Sequence, residues 1–516
     1  MLGNIKAGKN ALLIFSVVAF LAVAAGLGFS KNETPKTSEE ILKCTVKNLD
    51  GEIRISWNLL SDGNNIDGIE ISLKNHNAEI KETFSADAQS YSFTSGKHGT
   101  GYNISVRAMH GKDIVEKFET RAVFLNYDKL PALPIISIDT RNGKSPTYKA
   151  INHPEGMLGA TITDNDFLDC EVKMSSHGVK IVDSRAKIRI RGNTSAVRRE
   201  LKKPYGLKLD RAADLLELGN EYADKDWTLL YIGTDLKTYF ATALGNLFDV
   251  GWQPRMRFVN IMLNDEWRGL YILIESVKRG INRENISKDG YIFECDPYFW
   301  APDTKYFKTA SIGTQHAFTF KYPKKNRLSN YKIQWLKNYL EQFEKALNDQ
   351  NESYADYIDV NSFAKWILIQ DILGNQDGAG SNMYFNKYDF DLNNPTSTKI
   401  KMGPLWDFDL AFSYTDKWSG LHHYGYFPRL FKLDSFRQAY KDNWYAIKKK
   451  IIPTLRNNLK EFDSRQIRAI QKSRELDAAR WNKEVINFKD EMEEKVKWIE
   501  NRMKWINQKV TADDWK

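Results

Sequence analysis

The hydrophobic pattern of this 516-residue chain changes its period partway along. In the first half, apolar and polar residues alternate in short runs such as Ile53-Arg54-Ile55-Ser56-Trp57 and Tyr102-Asn103-Ile104-Ser105-Val106. A period of two sends successive side chains to opposite faces, which is the pattern of half-buried strands. Asp62-Gly63-Asn64-Asn65 and Gly96-Lys97-His98-Gly99 punctuate the runs as turns. From about residue 330 the spacing becomes helical. Segments 331–347 and 362–373 carry apolar stripes, and 462–510 reads as one long charged helix with Val496, Ile499, Met503 and Ile506 on one side. A sheet-rich half followed by a helix-rich half is an α+β layout, and the length calls for two to four domains of roughly 150 residues each.

Composition narrows the class. Hydrophobic residues at 42% and charged residues at 27% exclude wholesale disorder. A mean hydropathy of -0.52 with one long apolar run excludes a multi-span membrane protein. Lys+Arg 75 against Asp+Glu 66 leaves +9, which permits anionic partners without requiring them. The basic hairpin 185–208 supplies a local source for the excess, so no nucleic-acid partner is expected. Cys44, Cys170 and Cys295 contain no CxxC pair, which excludes a zinc ribbon and a dense disulfide framework. One disulfide with a spare thiol, or three buried thiols, fits the count.

Residues 11–29 carry no charge and follow Lys6 and Lys9, as in a secretory signal or a single membrane anchor. Ala22-Val23-Ala24 offers a cleavage site, whereas the length of the run favours retention. With the lysines held inside, everything after Ser30 is expected to be extracytoplasmic, secreted or anchored to the cytoplasmic membrane. The chain then divides into this segment (1–30), a Pro35-containing linker (31–43), an all-β sandwich (44–126), a connecting β-rich region (127–184), an α+β domain (185–460) and C-terminal helices packing on it (461–516). In the sandwich, Trp57 and the Tyr102-x-x-x-Val106-x-Ala108 run resemble a fibronectin type III module, with a spacer role or a surface or glycan ligand as its implied use.

Three elements carry chemistry. Asp377 precedes Asn382 by five residues on a loop leaving a helix, the spacing with which a carboxylate orients an attacking hydroxyl and an amide oxygen meets a phosphate-bound metal. A hairpin follows, from strands at 383–388 and 399–405, and ends in Trp406-Asp407-Phe408-Asp409, where two carboxylates beside a core are costly without a cation or donors. Upstream, the turn Gly192-Asn193-Thr194-Ser195 could cover phosphates with backbone N–H groups, and Lys208 alternates with Leu207 and Leu209 on the next strand. Nearby Arg189, Arg191, Arg198, Arg199, Lys202 and Lys203 form either a solvated face or an anion-attracting one. His422-His423 reads as a surface pair.

These blocks occur in a recognisable order. Arg191-Gly192-Asn193-Thr194-Ser195, Lys202-Lys203-Pro204-Tyr205-Gly206-Leu207-Lys208-Leu209, Asp226-Trp227-Thr228-Leu229-Leu230, the 263–275 run ending in Glu275, Asn375-Gln376-Asp377 to Asn382-Met383-Tyr384, and Pro404-Leu405-Trp406-Asp407-Phe408-Asp409-Leu410-Ala411 together resemble the spore coat protein H (CotH) kinase family. The resemblance implies an atypical protein-kinase-like fold that moves the γ-phosphate of ATP, with Mg2+ or Mn2+, to Ser or Thr of an exported or surface protein. It implies Asp377 as catalytic carboxylate, Asp407 as principal metal ligand with Asp409 competing, and Asn382 as metal or phosphate partner. It also implies Lys208, Arg191, Asn193 and Ser195 as phosphate contacts, with Glu275 beside the nucleotide or else salt-bridged to Lys278 or Arg279. The helix at 236–248 offers no Glu to pair with Lys208, and neither His-Arg before Asp377 nor G-x-G-x-x-G is present. The competing reading is a catalytically silent cell-surface adhesin or binding protein on the same fold.

Overall fold

The computed structural model describes residues 41–60, 66–153, 160–176, 178–197, 202–231, 236–312, 316–378 and 382–515. The expected signal or anchor, most of the linker, and Arg198 and Arg199 lie outside these residues. Among the described residues no helix is long and apolar enough to cross a membrane.

The first module is a sandwich of three strands against four. Leu42–Leu49, Glu52–Leu59 and Ser90–Phe93 form one sheet, and Glu79–Ser85, Gly68–Lys74, Gly101–His110 and Asp113–Val123 form the other. Alternating residues of both inner faces fill its core, where Ile55, Trp57, Ile71, Tyr102 and Val106 are buried. At roughly 1.5–3 kcal/mol per large apolar side chain withdrawn from water, such a core is what sustains a small sandwich.

The next unit is a closed seven-stranded barrel. Its order is Leu168–Ser176, Val179–Ile190, Tyr205–Ala213, Asp224–Leu230, Glu266–Glu275, Met256–Leu263 and Ile135–Thr140, which returns to the first strand. Every pairing is antiparallel except Met256–Leu263 with Ile135–Thr140, which is parallel. Closure removes all sheet edges. It also recruits Ile135–Thr140 and Leu168–Ser176, while Lys149–Asn152 and Ala160–Thr163 pair as a separate two-stranded sheet, and the division expected at 184/185 falls inside the strand Val179–Ile190. The hairpin between Met256–Leu263 and Glu266–Glu275 turns on Asn264 and Asp265, both at positive φ, as a two-residue hairpin demands.

A five-stranded sheet follows, ordered Tyr306–Phe307, Ala317–Tyr322, Tyr291–Asp296, Met383–Lys387 and Lys401–Met402. The helices Lys237–Leu247, Asn330–Asn348, Val360–Ile372, Asp434–Lys460, Ser464–Trp481 and Phe488–Thr511 accompany it. The long helix expected over 462–510 is two helices. Asn482 adopts the left-handed conformation (φ 55) and caps the first, and Asn487 caps the second by accepting the N–H of Asp490. The break lets Arg474 on one reach Glu491 on the other at 2.7 Å.

The helix Ser464–Trp481 ties sandwich to barrel. Arg121 of the sandwich donates to the Ala479 carbonyl at 2.6 Å, and Asp477 pairs with buried Lys202 and accepts the Leu270 N–H. Asn48 completes the junction: its amide donates to the Val123 carbonyl at 2.7 Å, and its side-chain oxygen accepts the Trp267 N–H at 2.9 Å. No disulfide contributes. Cys170 is buried in the barrel and Cys295 in the five-stranded sheet.

Candidate functional site

Three chain segments assemble the candidate site. The first leaves the barrel strand Val179–Ile190 at Arg191, whose N–H bonds the Pro204 carbonyl and closes the turn. Gly192 has φ +84, and a Cβ there would lie 2.4 Å from Ser195 Oγ, so only glycine fits. The Asn193 side-chain oxygen accepts the Thr161 hydroxyl at 2.7 Å, while its carbonyl accepts the N–H of Ala196 and of Val197 and starts a single helical turn. Thr194 shares a 2.7 Å hydrogen bond with the Tyr298 hydroxyl, joining this turn to the five-stranded sheet region.

The second segment follows the helix Val360–Ile372, an element buried nearly all round. Asn375 donates to Gln370 Oε1 at 2.9 Å, its own side-chain oxygen accepts the Asp377 N–H, and Asn382 donates to the Asp377 carbonyl at 2.7 Å. The Asn382 side chain is therefore tied back to the Asp377 backbone. The third segment is the short hairpin of Met383–Lys387 with Lys401–Met402 and the chain beyond it. Its strands are shorter than expected. The Gln376 N–H bonds the Leu410 carbonyl and the Phe412 N–H bonds the Leu373 carbonyl, which zips the Asp377 loop to the Asp407–Asp409 stretch. Phe408 is buried as an anchor, Asp407 takes φ +60, and Lys237 donates to the Asp409 carbonyl at 2.6 Å.

The result is three carboxylates sharing one electrostatic environment. Burial, then the charges of Asp409 and Asp377, push the Asp407 carboxyl up to about 7. Arg191 faces them from the barrel side, within the field of Asp407. Burial pulls its guanidinium below its usual value, Tyr384 and Asp407 pull the other way, and it stands 5.7 Å from the Trp406 ring centroid. Among the described residues no three His, Cys, Asp or Glu side chains are placed to hold a metal ion unaided. The crowding around Asp407 still fits a hard cation, which would take its remaining oxygens from a phosphate chain.

The other expected residues distribute unevenly. Lys208 is exposed on the outer face of its strand, opposite Lys187 on one side and Asp226 on the other. It shares that face with Gly206, two residues along, which lies against Arg189 and Arg191. No hydrogen bond or ion pair links Lys208 to the three carboxylates among the described residues. Glu275 is fully buried, and Arg255 grips both its oxygens at 2.6 and 2.9 Å, with Arg283 3.6 Å away. Its salt bridge is therefore to Arg255, not to Lys278 or Arg279. Lys202 and Lys203 are not a solvated face: Lys202 is buried against Asp477, and Lys203 donates to the Ala196 carbonyl. His422 is buried rather than a surface residue, stacked between Trp418 and Phe431 and bonded to Asp371, whereas His423 is exposed.

Sequence reasoning missed a second charged layer. Glu294 is buried and pairs with Lys321 at 2.6 Å, and Asp296 is pushed up to about 6 by burial and the Glu294 charge. The Tyr298 hydroxyl lies in the field of Asp296, Asp377 and Asp407. The available signal was a pair of carboxylates in the otherwise apolar strand Tyr291–Asp296.

The arrangement is one in which charged groups from a β-barrel meet carboxylates from a helix-backed loop and hairpin. The family description "CotH kinase protein" matches residues 188–506, and the chain belongs to this family. Family membership carries with it a kinase-like class and suggests ATP-dependent phosphotransfer with metal. No curated protein matches the sequence. One solved structure, from a computer-based redesign of a β-sandwich protein, is similar at 19% identity, covering 17% of this chain and 92% of its own, with a TM-score of 0.15.

Proposed function

We propose that this protein is an atypical protein kinase that transfers the γ-phosphate of ATP to Ser or Thr of an exported or surface protein. The observation that carries this reading is the burial of Asp407 in the field of Asp409 and Asp377, which together raise its carboxyl to about 7. In this reading Asp377 orients the acceptor hydroxyl and takes its proton. Asp407, with Asp409 and the Asn382 amide oxygen, holds Mg2+ or Mn2+. The bound cation supplies neutralisation of phosphate charge. Arg191 and the Gly192-Asn193-Thr194-Ser195 turn position the phosphates from the barrel side, and Lys208 adds charge from the same face. Holding these groups fixed lowers the barrier by positioning and electrostatics, without a covalent intermediate. Glu275 serves the reading only indirectly, by bracing strand ends with Arg255.

The three-on-four sandwich with buried Trp57 and Tyr102 supports a fibronectin type III-like module, used as a spacer or to hold a surface or glycan ligand. Export, or anchoring by residues 11–29, belongs to the same proposal. The test is transfer of labelled phosphate from ATP by the full chain with Mg2+ or Mn2+. Autophosphorylation or acceptor labelling that disappears in Asp407→Ala supports it. Absence of transfer and of nucleotide binding leaves the silent surface-binding reading in its place.

A further inference from the structure

The net charge is concentrated where no motif points. Residues 304–340 hold eight lysines and arginines and no Asp or Glu, nearly matching the whole-chain excess of +9. In three dimensions part of this stretch walls a groove of about 760 Å³, lined by Lys305 and residues 324–329. The Lys305 ammonium is held across the groove by the Leu328 carbonyl at 2.7 Å. Lys325 has one counter-ion, Asp303 at 3.2 Å, and Asp303 is itself largely exposed. No carboxylate among the described residues pairs with Lys324 or Arg327, both of which are exposed.

The groove also has a direction. Lys324 lies in the field of Asp226, Lys278 and Lys208 on the barrel, and of Lys321, which pairs with Glu294 beside the candidate site. The groove thus borders the outer face that carries Lys208, where Lys278 is paired with Asp224 and Asp226 and Lys321 with Glu294. Unpaired cations held close together repel one another, and an anionic partner relieves that repulsion.

We infer that this groove docks an acidic polypeptide segment and delivers a neighbouring Ser or Thr toward Asp377. Naming the segment as the acceptor rests on the kinase reading; the binding itself does not. An acidic segment is the occupant that charge complementarity favours, since the stretch carries eight cationic side chains and no carboxylate.

The test measures binding to the full chain of a fluorescein-labelled Glu/Ser peptide, its Lys/Ser counterpart and an oligothymidylate of equal charge. The acidic peptide is expected to bind in a salt-sensitive manner. Lys325→Glu combined with Arg327→Glu is expected to weaken it about tenfold or more. Both positions are exposed, and an unchanged unfolding transition shows that the fold is kept. Asp407→Ala is expected to bind the acidic peptide as the unaltered chain does. Equal binding of the basic peptide, preference for the oligonucleotide, or indifference to the charge reversal would overturn the inference. Peptide binding without phosphate transfer would remove the kinase reading and leave the groove standing.

Discussion

Asp371 and His422 are 3.0 Å apart in the interior, where neither meets solvent appreciably. The same carboxylate accepts the Tyr440 hydroxyl at 2.9 Å and the Ser419 N–H at 3.0 Å, and Arg502 of the last helix donates to the Asp371 carbonyl at 2.8 Å. This hub closes the helix that leads into the Asp377 loop, and it fastens the C-terminal helix to that point. Burial alone would raise the Asp371 carboxyl; His422, Ser419 and Arg502 more than offset it and hold it below its ordinary value.

Asp371→Ala leaves His422, the Tyr440 hydroxyl and the Ser419 N–H without their acceptor, and the expected loss is about 3–5 kcal/mol of unfolding free energy. Denaturant titration checks this. Because the folded carboxyl is depressed, its contribution is present above pH 4 and lost as pH falls, so the variant should also show a shallower decline of stability in acid.

Asp407→Ala should lower phosphate transfer by about 10³-fold or more, and Asp409→Ala should do so less severely. Steady-state kinetics with Mg2+ and with Mn2+ separate the two. Equal losses would assign the cation to both carboxylates alike.

Glu284 is buried, accepts one hydrogen bond from Asn386 at 3.1 Å, and is pushed by burial up to about 7. Below its ordinary value of 4.5 the residue is protonated in folded and unfolded chains and costs nothing. As pH rises from there through 7, the unfolded chain releases a proton that the folded chain keeps, so stability falls. Glu284→Gln should therefore leave the melting temperature near that of the parent at pH 5. At pH 8 it should raise stability by up to about 3 kcal/mol. A pH series of thermal melts reads both.

Asn48→Ala removes one side-chain bond across the sandwich–barrel junction and one to Val123 within the sandwich, and leaves the buried Trp267 N–H without an acceptor. The expected cost is about 2 kcal/mol. In calorimetry the sandwich should then melt ahead of the rest, whereas a single undisturbed transition would show that the helix Ser464–Trp481 and the Lys47–Asp265 pair suffice to couple them.

Much of this protein was legible in its residues. Period-two alternation marked the sandwich strands, and helical spacing at 331–347 and 362–373 marked the helices now seen at Asn330–Asn348 and Val360–Ile372. The ordered blocks from Arg191 to Ala411 carried the family, because local backbone demands and motif spacing are written in neighbouring residues. Tertiary structure alone decided the rest. Barrel closure by Ile135–Thr140 beside Met256–Leu263, the Glu275–Arg255 pair, the burial of His422 against Asp371 and the cationic groove all join residues remote in sequence. A buried charge is stable only beside the partner that the folded chain brings to it, and no local period records which partner that is.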